Sequence, residues 1–209
     1  PAGMTIDAGN GAISWRVPLD HPASTNLIAV KVTDNGPGNL SATRSFSVIV
    51  RPGVRVVINE VMHSPKVLNG QYVETHNASK ANSWNLGGWR LEGREMSFSF
   101  PANSILAPGS FLLVVQARGA FESAHGPGKP VAGEWSGRLR TTHETLRLIR
   151  PDENGQSIVD TVSFSAEAPW PDASGGAALQ LVDALQDNNR VANWKSASSY
   201  SGPTNLITM

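Results

Sequence analysis

Glycine and proline interrupt this chain so often that a long helix has little room to form. Its 209 residues include 20 Gly and 14 Pro, with Asn-Gly pairs at Asn10-Gly11, Asn35-Gly36, Asn69-Gly70 and Asn154-Gly155. Asn-Gly suits the positive φ angles of tight hairpins. Short runs of strand character lie between the turns. Met96-Ser97-Phe98-Ser99-Phe100 alternates with period two, as a half-buried strand does, and so do Leu146-Arg147-Leu148 and Leu179-Gln180-Leu181. Phe111-Leu112-Leu113-Val114-Val115 and Val56-Val57-Ile58 are unbroken apolar runs, the pattern of strands buried on both faces. A short turn of helix is the most that 117–125 promises, and Gly119 weakens it. The expected class is all-β, with the spacing of a sandwich or barrel.

Hydrophobic residues make up 40% of the chain and charged residues 16%, enough apolar material for a core. Seventeen basic residues balance seventeen acidic ones, which argues against a dedicated nucleic-acid binder. The absence of cysteine excludes disulfide scaffolds and thiolate metal sites. No run reaches the roughly 18 apolar residues of a membrane-spanning helix, and no leader pattern is present. The chain opens at Pro1 inside a strand-turn pattern, so the expectation is a piece of a longer protein, whose destination these absences do not reveal.

Arg51-Pro52-Gly53 separates the strand-like residues 45–50 from 54–62 and reads as a domain boundary, since proline removes an amide donor and glycine frees the backbone. The expected organisation is a module over 1–50, a linker over 51–53, a sandwich over 54–195 and a loosely packed tail over 196–209.

Residues 54–195 resemble the lamin tail domain. The stretches that carry the likeness are Val57-Ile58-Asn59-Glu60-Val61-Met62, Tyr72-Val73-Glu74-Thr75-His76-Asn77, Leu86-Gly87-Gly88-Trp89-Arg90-Leu91, Phe100-Pro101 with Leu106-Ala107-Pro108-Gly109, Trp135-Ser136-Gly137, Glu144-Thr145-Leu146-Arg147-Leu148, Ala168-Pro169-Trp170-Pro171, and Asp187-Asn188-Asn189 with Ala192-Asn193-Trp194. Order and spacing carry it rather than any one stretch. Thr75-His76 departs from the pattern, which prefers a large apolar residue and an aromatic there. Residues 1–50 resemble the later strands of bacterial cadherin-like or Ig-like domains, through Met4-Thr5-Ile6-Asp7, Ile13-Ser14-Trp15 and Val30-Lys31-Val32-Thr33-Asp34-Asn35-Gly36. About 50 residues fall short of a whole sandwich of roughly 100, so the early strands are expected to be missing and a second copy could supply them in a homodimer. The resemblance implies an Ig-like β-sandwich preceded by a partial Ig/cadherin-like module.

No HExxH, nucleophile elbow, phosphate loop or dinucleotide fingerprint occurs. Asp160 is expected on the apolar face of its strand with Ile158, Val162 and Phe164, held by backbone amides or Arg90. A catalytic pair would need two carboxylates about 5–10 Å apart beside a cleft. Asp34 and Asn35, with Asp7, are the calcium candidates, because oxygen-rich turns bind calcium between cadherin-like repeats; no other cofactor is expected. Trp84 and Trp15 are the candidate ligand platforms, since Trp89, Trp135, Trp170 and Trp194 fall on pattern positions and read as core plugs. Arg138, Arg140, Arg147 and Arg150, on an expected hairpin over 138–150, are a candidate anion patch, more often a solvated strand face.

The functional expectation is a non-catalytic interaction or structural module of an exported or cell-surface bacterial protein, its partner a protein or surface polymer. The alternatives are a carbohydrate- or calcium-dependent adhesion module, and accessory domains of a larger extracellular hydrolase or kinase-like enzyme.

Overall fold

A computed structural model describes residues 1–18, 21–51, 53–153, 155–198 and 200. Pro52 of the expected linker, Asn154 of the fourth Asn-Gly turn and 201–209 of the expected tail lie outside the described residues. The chain divides into two compact units, Pro1–Gly53 and Val54–Met209.

The first unit is two antiparallel hairpins. β1 (Met4–Ile6) pairs with β2 (Ile13–Trp15), and β3 (Ser24–Thr33) pairs along its whole length with β4 (Ser41–Val50). Asp34 closes the β3–β4 turn by accepting the amides of Gly36 and Leu40 on Oδ1, at 3.2 and 2.9 Å. The positive φ angles of this turn fall on Gly38 and Asn39, not on the Asn35-Gly36 pair expected to supply them. Leu27, Val32, Leu40, Phe46 and Ile49 are exposed, while Ile28 and Val50 are buried. A two-stranded ribbon is marginal in water on its own.

The second unit is a β-sandwich. Its strands are β5 (Val56–Met62), β6 (Tyr72–Asn77), β7 (Trp84–Asn85), β8 (Arg90–Glu92), β9 (Met96–Ser99), β10 (Ile105–Leu106), β11 (Phe111–Val115), β12 (Val131–Glu134), β13 (Ser136–Gly137), β14 (His143–Asp152), β15 (Gly155–Ser165), β16 (Ala178–Leu181) and β17 (Trp194–Ala197). One sheet runs β12-β11-β6-β5-β16-β17 and the other β13-β9-β8-β14-β15, with β7 and β10 forming a small separate pair. The main core draws on both sheets, with Ile58, Val61 and Val73 from the first and Leu91, Phe98, Leu148 and Val162 from the second. The class read from the sequence, an all-β Ig-like sandwich, is the one the chain adopts.

The six-stranded sheet also has a covered back. Helix α1 (Arg118–His125) bridges β11 to β12, which pair in parallel, and parallel neighbours need such a crossover. The sequence promised a turn here at most. Tertiary packing decides otherwise: Phe121 is fully buried, its ring edge-on to Tyr72 at 5.3 Å, within a second cluster that includes Met62, Leu113 and Val115. No Cβ at Gly119 would meet a neighbour, so its weak helix propensity is outweighed at an open position.

Three local expectations need correction for the same kind of reason. β16 is buried at every position, so Leu179-Gln180-Leu181 is not half-exposed despite its alternation. Ile158 is exposed rather than aligned with Val162 and Phe164, because a register shift between Leu148 and Ile149 turns the following residues over. Residues 138–150 are no hairpin: β13 pairs with β9, while β14 pairs with β8 and β15. The Thr75-His76 departure is absorbed without loss of packing. Thr75 Oγ1 donates to the Leu112 carbonyl at 3.0 Å, and the His76 ring stacks on Phe111 at 4.2 Å.

Among the described residues no helix is long and apolar enough to cross a membrane.

Candidate functional site

Two places in the sandwich carry unusual chemistry, one sealed and one open. The sealed place is a carboxylate pair. Glu60 on β5 and Glu74 on β6 are direct cross-strand partners, brought into register by a bulge at Asn59, and both are fully buried. Period-two geometry sends them to the back of the sheet with Tyr72. Tyr72 donates its hydroxyl to Glu60 Oε1, and Gln180 Nε2 donates to Oε2 at 3.3 Å. Glu74 accepts from Asn59 Nδ2 at 2.9 Å and from the Tyr200 hydroxyl at 2.9 Å. Burial pushes Glu60 up to about 7, with the nearby Glu74 adding to the rise and the hydrogen bonds opposing it. Burial also raises Glu74, against its two hydrogen bonds. Desolvation first, then the two carboxylates, raise the Tyr72 hydroxyl, so it stays a proton donor.

Raised carboxylates often mark catalysis. Here each carboxylate oxygen accepts a hydrogen bond from a side chain of the protein, and neither Glu60 nor Glu74 is among the residues lining two clefts of about 590 and 580 Å³, although Tyr200, which bonds Glu74, lines the second.

The open place is a cleft of about 590 Å³ between the β5–β6 loop and the segment joining β13 to β14. Glu95, in the β8–β9 turn, receives both guanidinium groups: Arg140 through Nη2 and Nε at 2.7 and 3.1 Å, Arg138 through Nε at 3.4 Å. These bonds hold the Glu95 carboxyl below the usual carboxylate range. Ser64, Asn69, Thr141 and Thr142 add hydroxyl and amide groups to the wall. Gln71 ties the two walls together, donating to the His63 and Leu139 carbonyls at 2.8 and 3.0 Å and accepting the Leu139 amide at 2.9 Å. His63 lies beneath, stacked on Phe164 at 5.0 Å, and neither ring nitrogen has a partner among the described residues. Burial lowers its pKa, so the ring is neutral.

Of the four candidate anion-patch arginines, then, only Arg138 and Arg140 meet. Arg147 lies on β14 opposite Glu92 and Thr161, and Arg150 donates to Ser157 at 3.5 Å. Trp84 is packed half-buried against the main core, its ring 6.4 Å from Trp89. Trp15 is half-buried, donating Nε1 to the Ala2 carbonyl at 3.2 Å with His21 edge-on at 5.6 Å. Asp34 is engaged by turn amides, and Asp7 accepts the Gly9 amide at 2.8 Å in the other hairpin. Asn35 lies in the Asp34 turn, exposed. No group of three or more acidic or histidine side chains suited to a metal occurs among the described residues. Asp160 accepts the amides of Ile58 and Thr161 at 2.7 and 3.0 Å and Asn188 Nδ2 at 2.6 Å. Arg90 instead bonds Glu92 and Gln156.

Sequence reasoning missed Glu95 and His63 as members of one site. Their only signal was proximity in the fold, since 32 positions separate them in the chain.

A family model described as Lamin Tail Domain matches residues 50–166. No curated protein matches, and no solved structure does.

Proposed function

The chain belongs to the lamin tail domain family, and on that premise we propose that it is a non-catalytic interaction or structural module of an exported or cell-surface bacterial protein. Lamin tail domains are Ig-like, of a protein-interaction type, and typically without catalysis. One observation carries the reading furthest. The two side chains best placed to act as acid and base, Glu60 and Glu74, are fully buried and saturated by neutral donors. Acid–base catalysis needs a group within reach of the substrate's proton. The surface instead offers an arginine-lined cleft and, in the first unit, exposed apolar side chains on a bare ribbon. The reading takes residues 1–50 as the later strands of a cadherin-like module that leans on further strands for cover.

The test has two parts. A hydrolase and phosphotransferase substrate panel should give no turnover; turnover lost in Glu60→Gln or Glu74→Gln would overturn the non-catalytic part. An antibody to this chain should label intact cells that make the parent protein. Labelling only after permeabilisation would overturn the surface assignment.

A further inference from the structure

The open cleft has a specific chemistry, and its class of ligand can be named. Two cations face one anion there, Arg138 and Arg140 against Glu95. Arg138 is largely in solvent, its side chain 74% exposed, and Glu95 is 39% exposed. Ion pairs this open contribute little to stability. Their effect is geometric: one carboxylate holds both forks in place while leaving N–H groups of each for another acceptor, since Arg138 uses only Nε and Arg140 only Nε and Nη2 on Glu95. Arginine forks bind carboxylates with two parallel hydrogen bonds.

On the opposite rim the β5–β6 loop projects Leu68, 85% exposed, between Val67 and Asn69. The loop is closed by a Gly70 amide bond to the Val67 carbonyl at 3.0 Å, with Asn69 at φ 61°. An exposed leucine alone would mean nothing. Facing two part-free guanidinium groups across a cleft of about 590 Å³, it makes a paired reader for an apolar and an acidic side chain.

The lining decides against other ligands. A sugar acid would want an aromatic face to stack on, and the only aromatic ring among the described lining residues is His63, 2% exposed. A nucleic acid would want more than one net positive charge. A peptide wants backbone hydrogen-bonding partners, which Thr141, Thr142, Ser64 and Asn69 offer.

We propose that this cleft binds an acidic segment of a partner protein, with a carboxylate on Arg138 and Arg140 and a neighbouring apolar side chain on Leu68. This rests on the reading of the chain as an interaction module. Glu95 then has a dual part: it positions the arginines, and it competes with the incoming carboxylate.

The experiment is a titration of the 209-residue chain, followed by amide chemical shifts. The probes are an acetylated peptide of alternating Asp, Glu and Leu, its Asn/Gln counterpart, and oligogalacturonate. The acidic peptide should shift amides of 64–69 and 138–142 saturably. It should bind about tenfold tighter than its amide counterpart and weaken as salt rises. Arg138→Gln with Arg140→Gln should cost about tenfold in affinity, and Leu68→Ser a few-fold. Glu95→Gln, which keeps a side-chain oxygen for the guanidinium groups and removes the competing charge, should tighten binding, and loosening would overturn the assignment. Shifts elsewhere, indifference to the arginine substitutions, or tighter binding of oligogalacturonate would each overturn the assignment. A protein partner whose footprint avoids the cleft would overturn it too, and would leave the interaction module standing.

Discussion

Replacing Glu60 with glutamine should make this protein more stable above neutral pH, although it removes a fully buried, hydrogen-bonded side chain. Burial raises the Glu60 carboxyl from 4.5 to about 7 in the fold. The folded chain therefore keeps this proton over a pH range in which the unfolded chain has lost it. The group's stabilisation is complete below about pH 4.5 and is lost as pH rises through about 7. That shift corresponds to about 3 kcal/mol. The raised Glu74 tilts the profile in the same sense. The substituted amide would remain neutral at every pH, so it escapes the desolvation penalty. It would keep the Tyr72 hydroxyl as donor, and the charge assistance of that bond in the ionised parent is already contained in the net rise to about 7. The net gain at about pH 8 should be about 3 kcal/mol, which for a unit of this size raises the melting temperature by about 6–12 °C. Near pH 5 the variant and the parent should melt within about 2 °C of each other. Thermal melts of both proteins across this range check the reasoning. A flat profile for the parent, together with a variant less stable at high pH, would refute it. The ionised carboxylate would then be held by Tyr72 and the Lys195 charge more firmly than burial opposes it.

Other outcomes follow from the same packing. Phe121→Ala should cost about 3–4 kcal/mol in denaturant melts, because it opens a cavity under α1 against Tyr72. Residues 54–209 expressed alone should unfold as one cooperative unit, while residues 1–50 alone should show no amide-exchange protection; protection there would mean the two hairpins need no cover. Millimolar calcium should raise the melting temperature by less than about 2 °C, since the Asp34 Oδ1 already accepts two turn amides; a large rise abolished by Asp34→Ala would show a real ion site.

The strands of the sandwich were legible because their side chains report burial directly. The alternation of Met96 to Ser99 reappears as alternating burial, and the unbroken Phe111–Val115 run lies inside the six-stranded sheet. What escaped had its cause elsewhere in the chain. Gln180 looks like the polar member of an alternating strand, and its bond to the Glu60 carboxylate, brought from the other end of the domain, helps make its burial tolerable. Phe121 looks like a lone aromatic in a weak helix until Tyr72 is placed beneath it. Arg138 and Arg140 read as part of a row with Arg147 and Arg150, because local spacing implied a hairpin. The strand order then sent β13 to β9 instead. Glu95 and His63 had no local signal at all.

The place of β16 sets a timetable for biosynthesis. It lies beside β5 in the middle of the sheet, yet the Glu60–Gln180 contact joins residues 120 positions apart. At about 5–20 residues per second, a ribosome takes several seconds or more to make that intervening chain. Throughout that interval β5 can pair with β6 but lacks its other neighbour, so an apolar strand edge waits on the nascent chain. The family match stops at residue 166, before β16 begins. A polypeptide ended there would carry the open edge permanently, and an offered strand from another nascent copy would be its natural substitute. β16 and β17, from the last fifth of the chain, thus act as the folding unit's latch, arriving after everything they close.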